Sequence, residues 1–172
     1  MFLKKPFLAF LIVFITSFLT IGGALFFEYG LNLTPCKLCL QQRYPYYLAM
    51  MIAWIMAYVS YKHHHPRLTH IILITLTVIF FISAIMGVYH AGVEWRLWAG
   101  PQDCGVTTNI NITQVNDFLK QLQQTRVVSC EDAAWRFLGV SLAGWNAVIS
   151  LIIVMYLIVV MKFKALASTN HQ

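Results

Sequence analysis

The sequence predicts an all-α membrane protein, a four-transmembrane-helix bundle with both termini on the cytoplasmic side. Three observations predict it. Of 172 residues, 59% are hydrophobic and only 10% are charged, whereas a soluble domain carries roughly 25% charge. Four long stretches lack Asp, Glu, Lys and Arg altogether, and each can cross ~30 Å of hydrocarbon at about 1.5 Å per residue. The basic residues are distributed unevenly among the connections. A water-soluble globule and a disordered chain are thereby excluded. So is a nucleic-acid-binding module, because the net charge of +6 is spread thinly, with no basic stripe interleaved with aromatics.

Residues 1–172 form a single integral membrane domain in this reading. The first span, Phe7 to Phe27, follows Lys4 and Lys5, but its apolar run exceeds the ~7–15 residues of a signal-peptide core. It also ends in Phe26-Phe27-Glu28 without a small-residue cleavage site, so it is read as retained. An outer loop over about residues 28–43 leads to the second span, Tyr44 to Tyr61, where Pro45 is expected to distort the first turns. A short connection precedes the third span, Leu68 to Tyr89. A long outer loop, about residues 90–136, precedes the fourth, Phe137 to Met161. All four are apolar around the whole helix circumference, as spans are and surface helices are not.

Within the long loop, Val115, Phe118, Leu119 and Leu122 fall at helical spacing with polar residues between them, which predicts a short amphipathic helix on the membrane surface. Trp95, Trp98, Trp135 and Trp145, with Tyr44, Tyr46 and Tyr47, fit an aromatic belt at the outer boundary.

Orientation follows from Lys and Arg in the short loops. Lys4 and Lys5, Lys62 and Arg67, and Lys162 and Lys164 lie in segments free of Asp and Glu, which places those segments in the cytoplasm. All six acidic residues, Glu28, Glu94, Asp103, Asp117, Glu131 and Asp132, fall in the two remaining connections. The two outer loops then hold Cys36 and Cys39, and Cys104 and Cys130, so every cysteine faces the oxidising side. An even number gathered there reads as disulfide chemistry.

Pro35-Cys36-Lys37-Leu38-Cys39 sits just before the second span. Thr34 is placed to cap a helix whose first residue is Pro35, which would set both sulfurs in its first turn, at the positive end of its dipole. Arg43, four residues after Cys39, would then reach that sulfur or a neighbouring anion. Such surroundings convert a thiol with ~3% thiolate at neutral pH into one largely ionised. A lone CxxC is also compatible with zinc or an inert bridge.

Cys104 and Cys130 are about 25 residues apart. Ser129-Cys130-Glu131-Asp132 reads as the capped start of a helix, and Gly100-Pro101-Gln102-Asp103 before Cys104 predicts an exposed turn. A disulfide there would be a structural staple or a bond open to attack by another protein's thiolate, and the second reading is preferred. His90 stands at the outer end of the third span, as an interfacial cap or a functional group. Glu28 and Glu94 read as solvated ends. His63, His64 and His65 read as a solvated cytoplasmic turn, across the bilayer from the sulfurs, so no metal site is expected. Asn32-Leu33-Thr34 and Asn111-Ile112-Thr113 match glycosylation sequons.

These segments together resemble the disulfide bond formation protein B (DsbB) family of the bacterial inner membrane. The resemblance is carried by Cys36-Lys37-Leu38-Cys39 with Gln42-Arg43, by Tyr89-His90-Ala91-Gly92-Val93-Glu94, by Gly100-Pro101 before Cys104, and by Trp135-Arg136-Phe137-Leu138-Gly139 after Cys130. It implies two redox-active disulfides, Cys36–Cys39 and Cys104–Cys130, facing the periplasm. A periplasmic DsbA-like thiol oxidase would be the protein partner, and membrane quinone, ubiquinone or menaquinone, the electron acceptor. The partner's thiolate would attack Cys104; Cys130, released, would attack Cys36; Cys39 would leave beside the quinone. Arg43 would stabilise the quinone oxygen and the Cys39 thiolate, and His90 would be a second quinone-side ligand. Other readings are a four-helix enzyme similar to vitamin K epoxide reductases, which place the active pair near a later span, or a non-enzymatic membrane protein whose outer cysteines are structural or bind zinc.

Overall fold

The computed structural model describes residues 6–62, 65–101, 130, 133 and 135–169. Among them are four long helices, α1 (Pro6–Leu25), α3 (Tyr44–Lys62), α4 (Pro66–Glu94) and α5 (Leu142–Thr169). A short helix α2 (Lys37–Gln41) precedes α3, and a hairpin of β1 (Arg136–Phe137) and β2 (Val140–Ser141) precedes α5. Three segments, Pro6–Gly30, Pro66–Glu94 and Leu142–Phe163, are long and apolar enough to cross a membrane. α3 matches the predicted second stretch, but five tyrosines make it the least apolar of the four.

α1 packs along α3, α4 along α5, and α3 joins the two pairs through α4. Phe10 and Val13 of α1, Tyr46, Ala49 and Ala53 of α3, Leu73, Leu76 and Phe80 of α4, and Leu157 of α5 form one buried core. The outward faces are equally apolar: Phe18, Trp54, Ile55, Val78, Phe81, Ile152 and Met155 are exposed. Helices apolar inside and out belong in a hydrocarbon solvent, where every backbone polar group is satisfied within the helix. Three helices are also tied by hydroxyls. Tyr46 Oη lies 2.9 Å from Ser150 Oγ, which donates to Ser83 Oγ at 3.0 Å. α4 and α5 touch backbone to backbone at Gly87, where a Cβ would stand 2.8 Å from the Ala147 nitrogen.

The ends of the helices differ from the sequence reading in three places. α1 does not stop at Phe27 but widens into a π-helical turn, Phe26–Gly30, and the chain reverses at Asn32, whose φ of 52° suits the left-handed tolerance of Asn. α4 runs past Tyr89 to Glu94, so His90 and Glu94 are helical residues rather than the start of a loop. It ends where Arg96 turns left-handed (φ 57°) and the Leu97 N–H bonds the Gly92 carbonyl at 2.9 Å. Trp98 then folds back, donating Nε1 to the Tyr89 carbonyl at 3.0 Å and covering Gly92, where a Cβ would meet its ring at 2.0 Å.

The third difference is the start of the fourth long helix, at Leu142 rather than Phe137. Leu138 (φ 54°) and Gly139 (φ 80°) form a two-residue left-handed turn that pairs Phe137 with Val140 and Arg136 with Ser141. Ser141 Oγ then caps α5 by accepting the Gly144 N–H at 3.2 Å. The helix predicted to start at Ser129 is also corrected: Cys130 lies in a turn, and residues 133 and 135–141 are not helical. The predicted surface helix over 115–122, the sequon at Asn111, Cys104, and His63 and His64 lie outside the described residues.

Candidate active site

The CxxC segment starts a helix, but not with the predicted cap. Cys36 itself occupies the cap position, with extended backbone (φ −74°, ψ 168°), and its Sγ accepts the Cys39 N–H at 3.2 Å. The sulfur plays the role that Thr34 was expected to play. Cys36 and Cys39 are free thiols with their sulfurs 2.9 Å apart. The shared proton belongs on Cys39, because Cys36 also receives a backbone N–H and faces His90 Nε2 at 3.5 Å. The hydrogen bond from Cys39 therefore lowers the Cys36 thiol from 9.0 to about 4, against the opposing effect of burial and with the help of His90. Cys39 moves the other way, raised by that hydrogen bond and by burial.

α2 breaks after one turn at Gln42-Arg43, and α3 restarts at Tyr44. Pro45 falls in the first turn of α3, where its missing N–H costs no intrahelical bond. The break turns Gln42 inward, to a buried position between α4 and α5. Gln42 Nε2 lies 3.2 Å from the Met86 carbonyl and 3.0 Å from His90 Nδ1, and Gln42 Oε1 accepts from Asn146 Nδ2 at 3.0 Å. His90 is 1% exposed. One turn on, Glu94 is 8% exposed, with Oε1 3.9 Å from His90 Nε2. Cys36, Cys39 and His90 thus bring three ligand-type atoms within 4.8 Å of one another.

On the other side of Cys39 lies a cavity of about 520 Å³ between α1, α3, α5 and the hairpin. Its walls include Leu19, Phe27, Leu33, Trp135, Phe137, Trp145 and Ile149, and its polar lining includes Cys39, Gln42, Arg43, Glu28 and Asn146. Trp135 packs on Phe27 and stacks on Phe137, while Trp145 donates to the Phe137 carbonyl. Two tryptophans assigned to a boundary belt are therefore cavity walls. Arg43 lines this cavity with Cys39, but its guanidinium forms an ion pair with Glu28 at 2.5 Å. Glu28 and Glu94, read from sequence as solvated ends, are both part of the site.

Cys130 is 1% exposed, carries a disulfide, and packs with Cys36 and Val93 in one small cluster. The structure thus brings together Cys36, Cys39, His90 and Cys130, with Arg43 nearby on the cavity wall, while Cys104 lies outside the described residues. Glu28, Gln42, Glu94 and Asn146 were not among the predicted site residues. The His90/Glu94 spacing of four carried a signal, since on a helix the two share a face. Asn146 carried a weaker one, as an amide among apolar residues. Nothing in the local sequence announced the pairing of Glu28 with Arg43.

The family model described as "Disulfide bond formation protein DsbB" matches residues 6–160. The chain belongs to the DsbB family. Among curated DsbB proteins, the disulfide bond formation protein B of Marinobacter nauticus is 30% identical over 88% of this chain and 89% of its own. That of Nitrosomonas europaea is 26% identical over 87% of this chain and 90% of its own. An uncharacterised protein of Rickettsia prowazekii is 24% identical over 86% of this chain and 83% of its own. No solved structure matches the chain. As a DsbB family member it is a membrane protein of disulfide bond formation, an oxidoreductase acting on dithiols.

Proposed function

We propose that this protein reoxidises a periplasmic DsbA-like thiol oxidase and passes the two electrons to a quinone of the bacterial inner membrane. One observation carries the reading: the CxxC pair joins the buried cluster that holds Cys130 to the cavity. Cys36 packs with Cys130, and Cys39, packed against the same cluster, also lines the cavity beside Arg43 and Glu28. α3 completes a four-span bundle with both termini in the cytoplasm and the cysteine loops in the periplasm, as the distribution of Lys and Arg requires.

The cavity fits a quinone head group. It offers apolar and aromatic walls with a few polar groups among them, the usual make-up of a small-molecule site. Bound there, a quinone would supply a two-electron, two-proton acceptor. Arg43 would hold a fixed positive charge near an oxygen that becomes negative.

The chain's own residues move the electrons by exchanging disulfides. The partner's thiolate attacks Cys104 of a Cys104–Cys130 bond and Cys130 leaves as thiolate. Cys130 then attacks Cys36 of a Cys36–Cys39 bond, and Cys39 leaves into the cavity. The partner's second thiolate closes the partner's disulfide and frees Cys104, which attacks Cys130 of the Cys36–Cys130 bond and releases Cys36. The Cys36, Cys39 dithiol then gives up two electrons and two protons as its disulfide re-forms, so that overall one partner dithiol and one quinone give one partner disulfide and one quinol. Stabilising the Cys36 thiolate favours the reduced CxxC pair, which makes its disulfide the better oxidant.

The test is turnover. Purified protein given a reduced thioredoxin-like dithiol should reduce a soluble quinone analogue, and Cys39→Ser and Cys104→Ser should each abolish it while the helical content is unchanged. Absence of turnover with both ubiquinone and menaquinone analogues would overturn the reading.

A further inference from the structure

The hydrogen bonds around His90 determine which of its nitrogens carries the proton. A backbone carbonyl can only accept, so the Gln42 atom 3.2 Å from the Met86 carbonyl is the amide nitrogen. Asn146 reinforces that orientation by donating Nδ2 to Gln42 Oε1. The same Gln42 nitrogen lies 3.0 Å from His90 Nδ1. Two N–H groups cannot face each other at that distance, so Nδ1 is the acceptor and the ring proton sits on Nε2. Nε2 in turn faces Cys36 Sγ at 3.5 Å.

We propose that Gln42, clamped between the Met86 carbonyl and Asn146, is a positioning residue that fixes the orientation of His90 so that its Nε2–H is donated to the Cys36 sulfur. The negative charge of the dithiol is thereby held on the sulfur that packs against Cys130. This rests on the reading of Cys36–Cys39 as the redox pair and adds the device that decides where its charge resides. Both clamping residues come from elements other than that of His90: Gln42 follows α2 and Asn146 is on α5. The same tautomer withholds the Nε2 lone pair from a metal. A zinc-bound imidazole needs an acceptor at its other nitrogen, and Gln42 presents a donor.

Among the described residues, the other groups near Cys36 are few. Cys39 is bonded to it, Glu94 Oε1 stands 3.9 Å from His90 Nε2, and Cys130 is in a disulfide. Lys37 is exposed, and Arg43 is paired with Glu28 on the cavity wall.

Two measurements on the reduced, full-length protein in detergent test the proposal. In 15N spectra of histidine-labelled protein, with the His90 signals assigned by comparison with His90→Gln, Nε2 should be protonated and Nδ1 bare at neutral pH. A proton on Nδ1, or on both nitrogens, overturns the proposal without any variant of the clamp. In Gln42→Met, His90 should populate both tautomers. The midpoint of thiolate formation, followed by ultraviolet absorbance in a Cys104→Ser, Cys130→Ser background, should rise by about one to two pH units, the worth of one hydrogen bond to a charged group. Asn146→Leu should shift it the same way by less, and an unchanged midpoint in Gln42→Met overturns the proposal. Neither measurement uses quinone or a protein partner, so either can fail while turnover stands, and turnover can fail while both succeed.

Discussion

Arg43 is neutralised by Glu28, fifteen residues earlier in the chain, and the pair closes the wall of the cavity that Cys39 shares. Their side chains are 12% and 20% exposed, so the pair is mostly removed from water. A cation already balanced can take on a second negative partner at the cost of sharing its donors, which guanidinium, with five N–H groups, can do and ammonium does less well.

Arg43→Met should therefore do two separable things. It removes the fixed charge near the acceptor, lowering kcat/KM for the quinone analogue by about 10–100-fold, or roughly 1.4–2.8 kcal/mol. It also strands the Glu28 carboxylate on an apolar wall. Thermal unfolding in detergent should show Arg43→Met less stable than the double variant Arg43→Met, Glu28→Gln, while the double variant stays slow. Equal stabilities would mean that the ion pair contributes nothing to the fold.

The reduced CxxC pair should show a thiolate that persists in acid. Cys36 titrates at about 4 instead of 9.0, because Cys39 and His90 hydrogen-bond to its charged form. A lowered value means that the thiolate is already present at neutral pH and is lost only as pH falls through about 4. Thiolate absorbance, reduced minus oxidised, should thus stay level from neutral pH to about 5 and then drop. A midpoint at the ordinary thiol value would contradict the site geometry. For the same reason the reduced form should gain stability relative to the unfolded chain as pH rises from about 4 toward 9.0.

Gly87→Val should uncouple α4 from α5. Its side chain would start 2.8 Å from the Ala147 backbone, which cannot yield without moving a helix. Overpacking of this kind costs about 1–3 kcal/mol. Because Asn146 adjoins Ala147, the Asn146–Gln42 hydrogen bond should be lost as well. Unfolding temperature and the pH midpoint of the Cys36 thiolate should move together in this variant; a fall in stability alone would separate the two roles.

Topology can be read by labelling. In a chain whose four native cysteines are replaced by Ser, a cysteine at Trp95 should react with an impermeant maleimide added to intact spheroplasts. One at Lys162 should react only after lysis. The reverse pattern would invert the orientation on which the proposed function depends.

Much of this architecture can be read from composition, because a stretch long enough and apolar enough to cross a bilayer has few alternatives. That is why the positions of α1, α3 and α4 follow from charge-free runs. Helix ends are harder. Continuation of α4 through Ala91-Gly92-Val93-Glu94 depends on Trp98 folding back over Gly92, a contact that no local pattern encodes. The turn at Leu138-Gly139 lacks the usual Asn-Gly or Asp-Gly sequence and hides inside an apolar run. For the site, residue types with intrinsic chemistry were found and those that act through partners were missed. Cys36, Cys39 and Cys130 stand out anywhere, whereas Gln42 and Asn146 acquire meaning only when a broken helix brings Gln42 to the His90 imidazole and a distant helix brings Asn146 to Gln42.

The single turn of α2 sets the two sulfurs of the CxxC segment where a buried cluster meets a cavity. Cys36 and Cys39 sit three residues apart; both pack in the cluster that holds Cys130, and Cys39 also borders an oily chamber. In the proposed relay neither side would need to open for the other to react, because what would cross is the bond between the two sulfurs, and no diffusing reductant would have to travel between them.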